Sequence, residues 1–182
     1  YDTVTEVMWV TGAALFIRLA DYREVGGLDD HFFAHMEEID LCWRLRSRGK
    51  KLVCIPQSVV YHVGGATLKK ENPRKTFLNF RNNLLMLYKN LPDKELEHVL
   101  FIRGILDRVA ALVFYLKKDR ANARAVMQAR REFEDIRYSF AASRIENMMK
   151  STDEIIPERT HFSIVMKYYL LGKKHFSQLK LF

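Results

Sequence analysis

The residue pattern changes at Asn72-Pro73, and this change limits what the chain can build more than any other feature. Beyond it, Phe77, Phe80, Leu84, Tyr88 and Leu91 recur at helical spacing until Leu91-Pro92, where a helix has to stop. Further helices are predicted over 94–117, 120–135, 139–149 and 162–174. Before it, short apolar runs alternate with turn signals. Val7-Met8-Trp9-Val10 and 13–17 are of strand type, with Thr11-Gly12 between them. A short helix over 19–24 is closed by Gly26-Gly27, and Leu28-Asp29-Asp30 is a turn. A helix is predicted over 36–48, with Ile39, Cys42, Trp43 and Leu45 as its buried stripe and Gly49 as its stop. Strands are predicted over 51–55 and 58–63, around Pro56-Gln57. The reading is a mixed α/β part over 1–73 followed by an all-α region over 74–182.

Hydrophobic residues make up 48% and charged residues 29% of the 182 positions, so most of the chain is expected to fold. The formal net charge of +8 favours anionic partners, or is carried by solvated helix faces. The basic residues gather between Arg103 and Arg144 and around Lys167, Lys173, Lys174 and Lys180. Neither a zinc-finger spacing nor an RNA-recognition aromatic signature accompanies them, so nucleic acid is not the expected partner. Cys42 and Cys54 alone make no disulfide framework; both are expected to pack as small apolar groups, in a reducing cytoplasmic setting. The most apolar stretch, 99–116, is interrupted by Arg103, Asp107 and Arg108 and is not expected to span a membrane. The sequence opens on Tyr1-Asp2-Thr3-Val4, with no signal or transit character, and is expected to be the C-terminal part of a longer protein.

Three segments carry candidate chemistry. They are Gly26-Gly27-Leu28-Asp29-Asp30-His31-Phe32-Phe33, then Glu37-Glu38-Ile39-Asp40-Leu41-Cys42-Trp43-Arg44 with Gly49 behind it, then Val60-Tyr61-His62 after Pro56. Taken singly, each has an ordinary explanation. Acids at a helix start complement its dipole, paired glycines make a turn, and a lone histidine is usually a plain surface or core residue. Their order is more telling: an aromatic loop, an acidic helix start, an arginine one turn on, a glycine stop, a strand and Tyr-His.

This order resembles family 2 glycosyltransferases of the GT-A fold, specifically the bacterial rhamnosyltransferase-like members, over about residues 11–92. The resemblance implies the C-terminal portion of a GT-A nucleotide-diphospho-sugar transferase domain, followed by a helical region. It implies an inverting transferase that moves a sugar from a nucleotide-diphospho-sugar donor to a glycan or lipid-linked acceptor, in surface polysaccharide synthesis. The second residue of the family's acidic pair is the general base, and it falls on Glu38; Glu37 and Asp40 are the competing acids. The family usually has Asp there, so Glu38 holds its carboxyl one methylene further out. Asp40 has the alternative of an ion pair with Arg44 one turn on. Gly12 and Ala13, in a segment resembling the family's acceptor side, are expected to line the substrate together with Asp29, Arg44 and Arg81. A packed strand at Gly12-Ala13, and an ordinary basic helix face at Arg74, Lys75 and Arg81, are the alternatives. His62 matches a position that joins the divalent metal, for which a histidine among carboxylates suits Mn²⁺ better than Mg²⁺. No Asp-x-Asp in a suitable strand context occurs here, so the other ligands and the donor-binding half are expected outside this chain, which is then inactive alone.

The tail mixes Ile164, Val165, Tyr168, Tyr169, Leu170 and Leu171 with Lys167, Lys173 and Lys174. That mixture suits peripheral contact with an anionic membrane on its cytoplasmic face, or docking on the rest of the protein or on a second copy as a homodimer. A non-enzymatic basic helical module is the rival to the enzyme reading, and it leaves the acidic helix start unexplained.

Overall fold

A computed structural model of the chain describes residues 2–63, 72–152, 156–160, 164–169, 171–175 and 178. It is mostly helical, with one small antiparallel sheet. Strand β1 (Thr5–Glu6) pairs with β2 (Val53–Cys54), Thr5 opposite Cys54 and Glu6 opposite Val53. The Val7 amide carries the ladder one step further, donating to Leu52 O at 3.0 Å. The helices are α1 (Leu19–Glu24), α2 (Glu37–Ser47), α3 (Pro73–Asn90), α4 (Asp93–Leu116), α5 (Arg120–Ile136), α6 (Ala141–Lys150) and α7 (Ile164–Tyr169).

Local chemistry sets most of these limits. Pro73 begins α3, where a missing N–H costs nothing, and the Asn72 side chain accepts from the Arg74 amide at 2.9 Å. Asp119 caps α5 in the same way, through the Asn122 amide at 3.1 Å. Helix α1 gives way to Gly26 and Gly27, whose φ values of 83° and 70° would strain any side chain.

Three predicted strands are absent: over 7–10 only the Val7 amide joins the ladder, β1 lying just before at Thr5–Glu6, and two others do not form at all. Residues 12–14 form a short 3₁₀ turn, and the chain then runs extended past Leu15 without a ladder. Residues 58–63 are exposed and outside any strand. Among the described residues neither segment has a strand beside it, and an unpartnered strand leaves its amides and carbonyls to water. The apolar character of the first segment is used differently: Val10, Leu15 and Ile17 pack on a small cluster around Leu41, Cys42 and Leu52. Of the predicted tail helix over 162–174, Ile164–Tyr169 is helical and 171–174 are not, while Phe162, Ser163 and Leu170 lie outside the described residues.

The larger core draws on both parts of the chain. Phe32 and Trp43 meet Leu84, Leu85, Tyr88 and Phe133 in one buried cluster. Helix α3 stands at its centre, packed against α2, α4, α5 and α6. Helix α2 is consequently buried nearly all round, Asp40 and Arg44 as well as Cys42 and Trp43. Both cysteines are free thiols, Cys42 buried and Cys54 partly so.

Candidate active site

The acidic start of α2 is presented by a bent loop. Phe33, His35 and Met36 have φ values of 59°, 70° and 73°, in the left-handed region that non-glycine residues seldom occupy. Three consecutive side chains of α3 hold this loop. Arg81 donates to His31 O at 2.9 Å. The buried Asn82 amide reaches the carbonyls of Phe32, Ala34 and His35, each at 2.8 Å. Asn83 approaches Met36 Sδ at 3.9 Å. Strained backbone persists only where its surroundings over-determine it, and it gathers at functional sites.

Behind this loop, Glu37 and Glu38 occupy the first turn of α2, both partly buried. Burial pushes the Glu38 carboxyl above the usual carboxylate range, and the neighbouring Glu37 carboxyl adds to the effect. Backbone N–H groups at the helix start, those of Glu38 and Ile39, oppose it. One carboxyl oxygen of each glutamate is buried without a hydrogen-bond partner, and so is Nε2 of His35. Burial also pushes the His35 imidazole below its ordinary range, and the Lys75 ammonium acts in the same sense. Gly12 stands directly against this group: a Cβ on it would lie 3.7 Å from Glu38 Cβ. Two of the expected site residues, Gly12 and Glu38, are thus neighbours, with exposed Ala13 next in the turn.

Asp40, Asp29, Arg44 and Arg81 are engaged within the protein. Asp40 has zero exposure and accepts from Arg44 Nε at 2.9 Å, Lys89 Nζ at 2.9 Å and Asn90 Nδ2 at 2.7 Å. The alternative in which Asp40 pairs with Arg44 is the arrangement present. Arg44 turns the rest of its guanidinium to the carbonyls of Val25 and Gly27, bracing the glycine turn. Asp29 accepts from the His31 amide at 3.0 Å and from Lys89 at 2.7 Å. Burial alone would raise the Asp29 carboxyl, but the Lys89 ammonium and the His31 hydrogen bonds together hold the group below the usual range. Arg81 adds Glu132 at 2.8 Å to its loop contact.

His62 is exposed, one residue beyond a Tyr61 with 96% of its surface open. Among the described residues no three histidine, cysteine, aspartate or glutamate side chains converge as a metal-holding group. A single imidazole is not a coordination set, so the residues present do not make a metal site on their own.

Sequence reading passed over the residues that hold the site: Lys89, Asn90, Asn82 and Asn147, whose amide reaches Asn90 Oδ1 at 3.2 Å. A signal was present. Asparagine is a poor helix former, and Asn79, Asn82, Asn83 and Asn90 lie inside one helix whose period assigns them no reason to be there.

Comparison with known proteins finds sugar transferases. The chain is 31% identical over 141 residues to a pre-mycofactocin glycosyltransferase of Mycobacterium tuberculosis, covering 71% of this chain and 29% of that protein. It is 38% identical over 56 residues to an N-acetylglucosaminyl-diphospho-decaprenol L-rhamnosyltransferase of the same species, covering 31% of this chain and 18% of the relative. It is 36% identical over 61 residues to the Escherichia coli rhamnosyltransferase WbbL, covering 34% and 22%. The chain thus spans less than a third of the length of these curated relatives. No family model matches, and no solved structure matches significantly. The homologues are glycosyltransferases, and a rhamnosyltransferase-type member of family 2 fits them.

Proposed function

We propose that the chain carries the base and acceptor side of an inverting sugar transferase, the C-terminal portion of a GT-A domain that takes its donor from a nucleotide-diphospho-sugar. One observation carries this reading. Glu38 has a carboxyl raised by burial, an oxygen without a partner, and the Gly12 turn against its stem. A base works best when its pKa lies near the working pH, and a raised carboxyl moves in that direction. In the transfer, Glu38 takes the proton of an acceptor hydroxyl while that oxygen attacks the anomeric carbon. The bond from that carbon to the nucleoside diphosphate breaks on the opposite face, and its electron pair leaves with the phosphate. The sugar configuration inverts.

The absent side chain at Gly12 lets an acceptor approach the backbone next to Glu38. His35, whose imidazole burial holds below its ordinary range and whose Nε2 has no partner, stands near Glu37 as a second hydrogen-bonding group. Asp29, Asp40, Arg44 and Arg81 act at one remove, by fixing the loop and the helix. A divalent cation, Mn²⁺ or Mg²⁺, would neutralise the departing diphosphate, with His62 as one donor among ligands from outside this chain. The same proposal includes a glycan or lipid-linked acceptor in surface polysaccharide synthesis, handled at the cytoplasmic face of the membrane; one relative is named for a sugar carried on decaprenol diphosphate.

The test is Glu38→Gln in the full-length enzyme. Transfer should fall by about a hundredfold or more while the donor still binds, since a positioned base contributes roughly 10²–10⁴. Turnover within threefold of the parent would remove Glu38 from this role.

A further inference from the structure

Helix α4 is apolar on both sides, and only one side is buried. Its inner face carries Leu96, Gly104, Asp107 and Ala111. Asp107, fully buried, pairs with Arg103 at 2.9 Å and with Arg130 of α5 at 2.9 Å, which fixes that face against the protein. The outer face carries Phe101, Ile105, Val109, Leu112 and Leu116, all exposed, with Phe101 69% and Leu116 71% open. At 3.6 residues per turn these five fall within an arc of about 80° and make a stripe roughly 22 Å long. Single exposed apolar residues are ordinary, but a continuous stripe marks a surface that meets something else. No helix of the described structure is long and apolar enough to cross a membrane.

The surface beside the stripe is basic. Leu112 also lines a groove of about 940 Å³ between α4 and α5, whose walls include Tyr115, Arg120, Arg124, Met127 and Arg131. Lys117 and Lys118 follow directly at the end of α4. Arg120 lies over the Tyr115 ring at 5.8 Å. Two acids share the groove: Glu132, already paired with Arg81 at 2.8 Å, and Asp135. Five cations therefore border this part of the surface against three acids, of which Glu132 is paired with Arg81 and Asp119 caps α5.

We infer that the outer face of α4, with the basic rim of α5, is a docking surface for an anionic lipid bilayer, against which α4 lies flat. The stripe supplies apolar area for the headgroup boundary, and the rim meets lipid phosphates. Charge complementarity selects this occupant. A second copy would bring the same net charge of +8 to the contact, whereas an anionic bilayer brings the opposite sign. The surface is not the tail from which sequence reading expected membrane contact, and it does not depend on the transfer reading.

Co-sedimentation of the 182-residue chain with vesicles tests this by binding alone. Phosphatidylcholine vesicles should leave the chain in solution, and vesicles containing about a third phosphatidylglycerol should pellet it, with binding weakened by salt. Arg120→Ser, Arg124→Ser and Arg131→Ser together should lower partitioning on the order of a hundredfold, at roughly fivefold for each cation near an anionic surface. Ile105→Ser with Leu112→Ser should lower it by about tenfold or more. All these positions are exposed or line the open groove, and an unchanged melting temperature would show that each variant is folded. Equal partition into neutral and anionic vesicles, failure to bind either, or full binding by the variants would overturn the inference. A dimer that Ile105→Ser with Leu112→Ser dissolves, in a chain that ignores vesicles, would assign the face to a second copy instead.

Discussion

Removing the carboxylate of Asp40 should destabilise the fold strongly without any direct role in chemistry. Asp40, Arg44 and Lys89 are all buried, at 0%, 5% and 2% exposure, and the carboxylate is the one anion shared by both cations. In Asp40→Ala, Arg44 keeps the carbonyls of Val25 and Gly27, and Lys89 keeps Asp29. What is lost is the charge that offsets two desolvated cations, together with the acceptor for Asn90. Breaking a buried pair by removing one partner costs about 3–5 kcal/mol. For a chain of this length each kcal/mol is roughly 2–4 °C, so the melting temperature should fall by about 6–20 °C. Urea unfolding followed through the fluorescence of Trp43, buried one turn along the same helix, measures it. Lys89→Met in the Asp40→Ala background should then cost less than it does alone, by about 1 kcal/mol or more, because it removes the excess buried positive charge left beside Arg44. A loss below about 1 kcal/mol for Asp40→Ala, or strict additivity in the cycle, would show that the network does not hold α2 to α3 and would return Asp40 to the candidates for chemistry.

The remaining predictions concern the site and its supports. Glu38→Gln should leave stability unchanged near pH 3 and raise it near pH 8. A carboxyl raised by burial is neutral in both states at low pH, and it favours the unfolded chain once the pH has passed its unfolded and then its folded pKa; melting curves across that range would show no divergence if Glu38 were relaxed. Asn82→Leu removes the amide donor from the Ala34 and His35 carbonyls, Phe32 O keeping the Ala34 N–H, and should cost about 1–3 kcal/mol, with a larger loss of transfer in the full-length enzyme than Phe133→Ala produces at matched residual stability. Phe133→Ala, at a fully buried core position, should cost about 3–5 kcal/mol in urea unfolding. Gly27→Ala combines φ +70° with a Cβ 3.0 Å from the Tyr22 ring and should cost more than about 1 kcal/mol; a neutral result would mean that the glycine turn relaxes freely.

Helices were the most legible part of the sequence because their signals are local. The apolar period and Leu91-Pro92 placed the end of α3 within a residue of Asn90, and the same reasoning located α1, α2, α4 and α5. The strands were less legible because a ladder depends on a neighbour that the local sequence does not specify. The apolar run 13–17 satisfies a strand pattern and also satisfies an extended segment packed on Leu41 and Leu52. In the site, the acidic turn and its order relative to Gly12 could be read directly. The assignment of Asp40 could not, since its partners Lys89 and Asn90 lie about fifty positions away and look like ordinary polar residues on a helix.

The helical region also reaches into the site physically. Non-glycine residues in the left-handed region cost of order 1–3 kcal/mol each, and Phe33, His35 and Met36 lie in succession there or close to it. Asn82 offsets part of that cost through three carbonyls, Arg81 through a fourth, and Phe32 by entering the core beside Leu84 and Leu85. Helix α3 is rigid because α4, α5 and α6 pack around it. The direction in which Glu38 points is therefore set by residues 73–90 as much as by its own helix. Substitutions in α3 that never touch a substrate should alter the site through the loop, and those on the outer face of α4 should not.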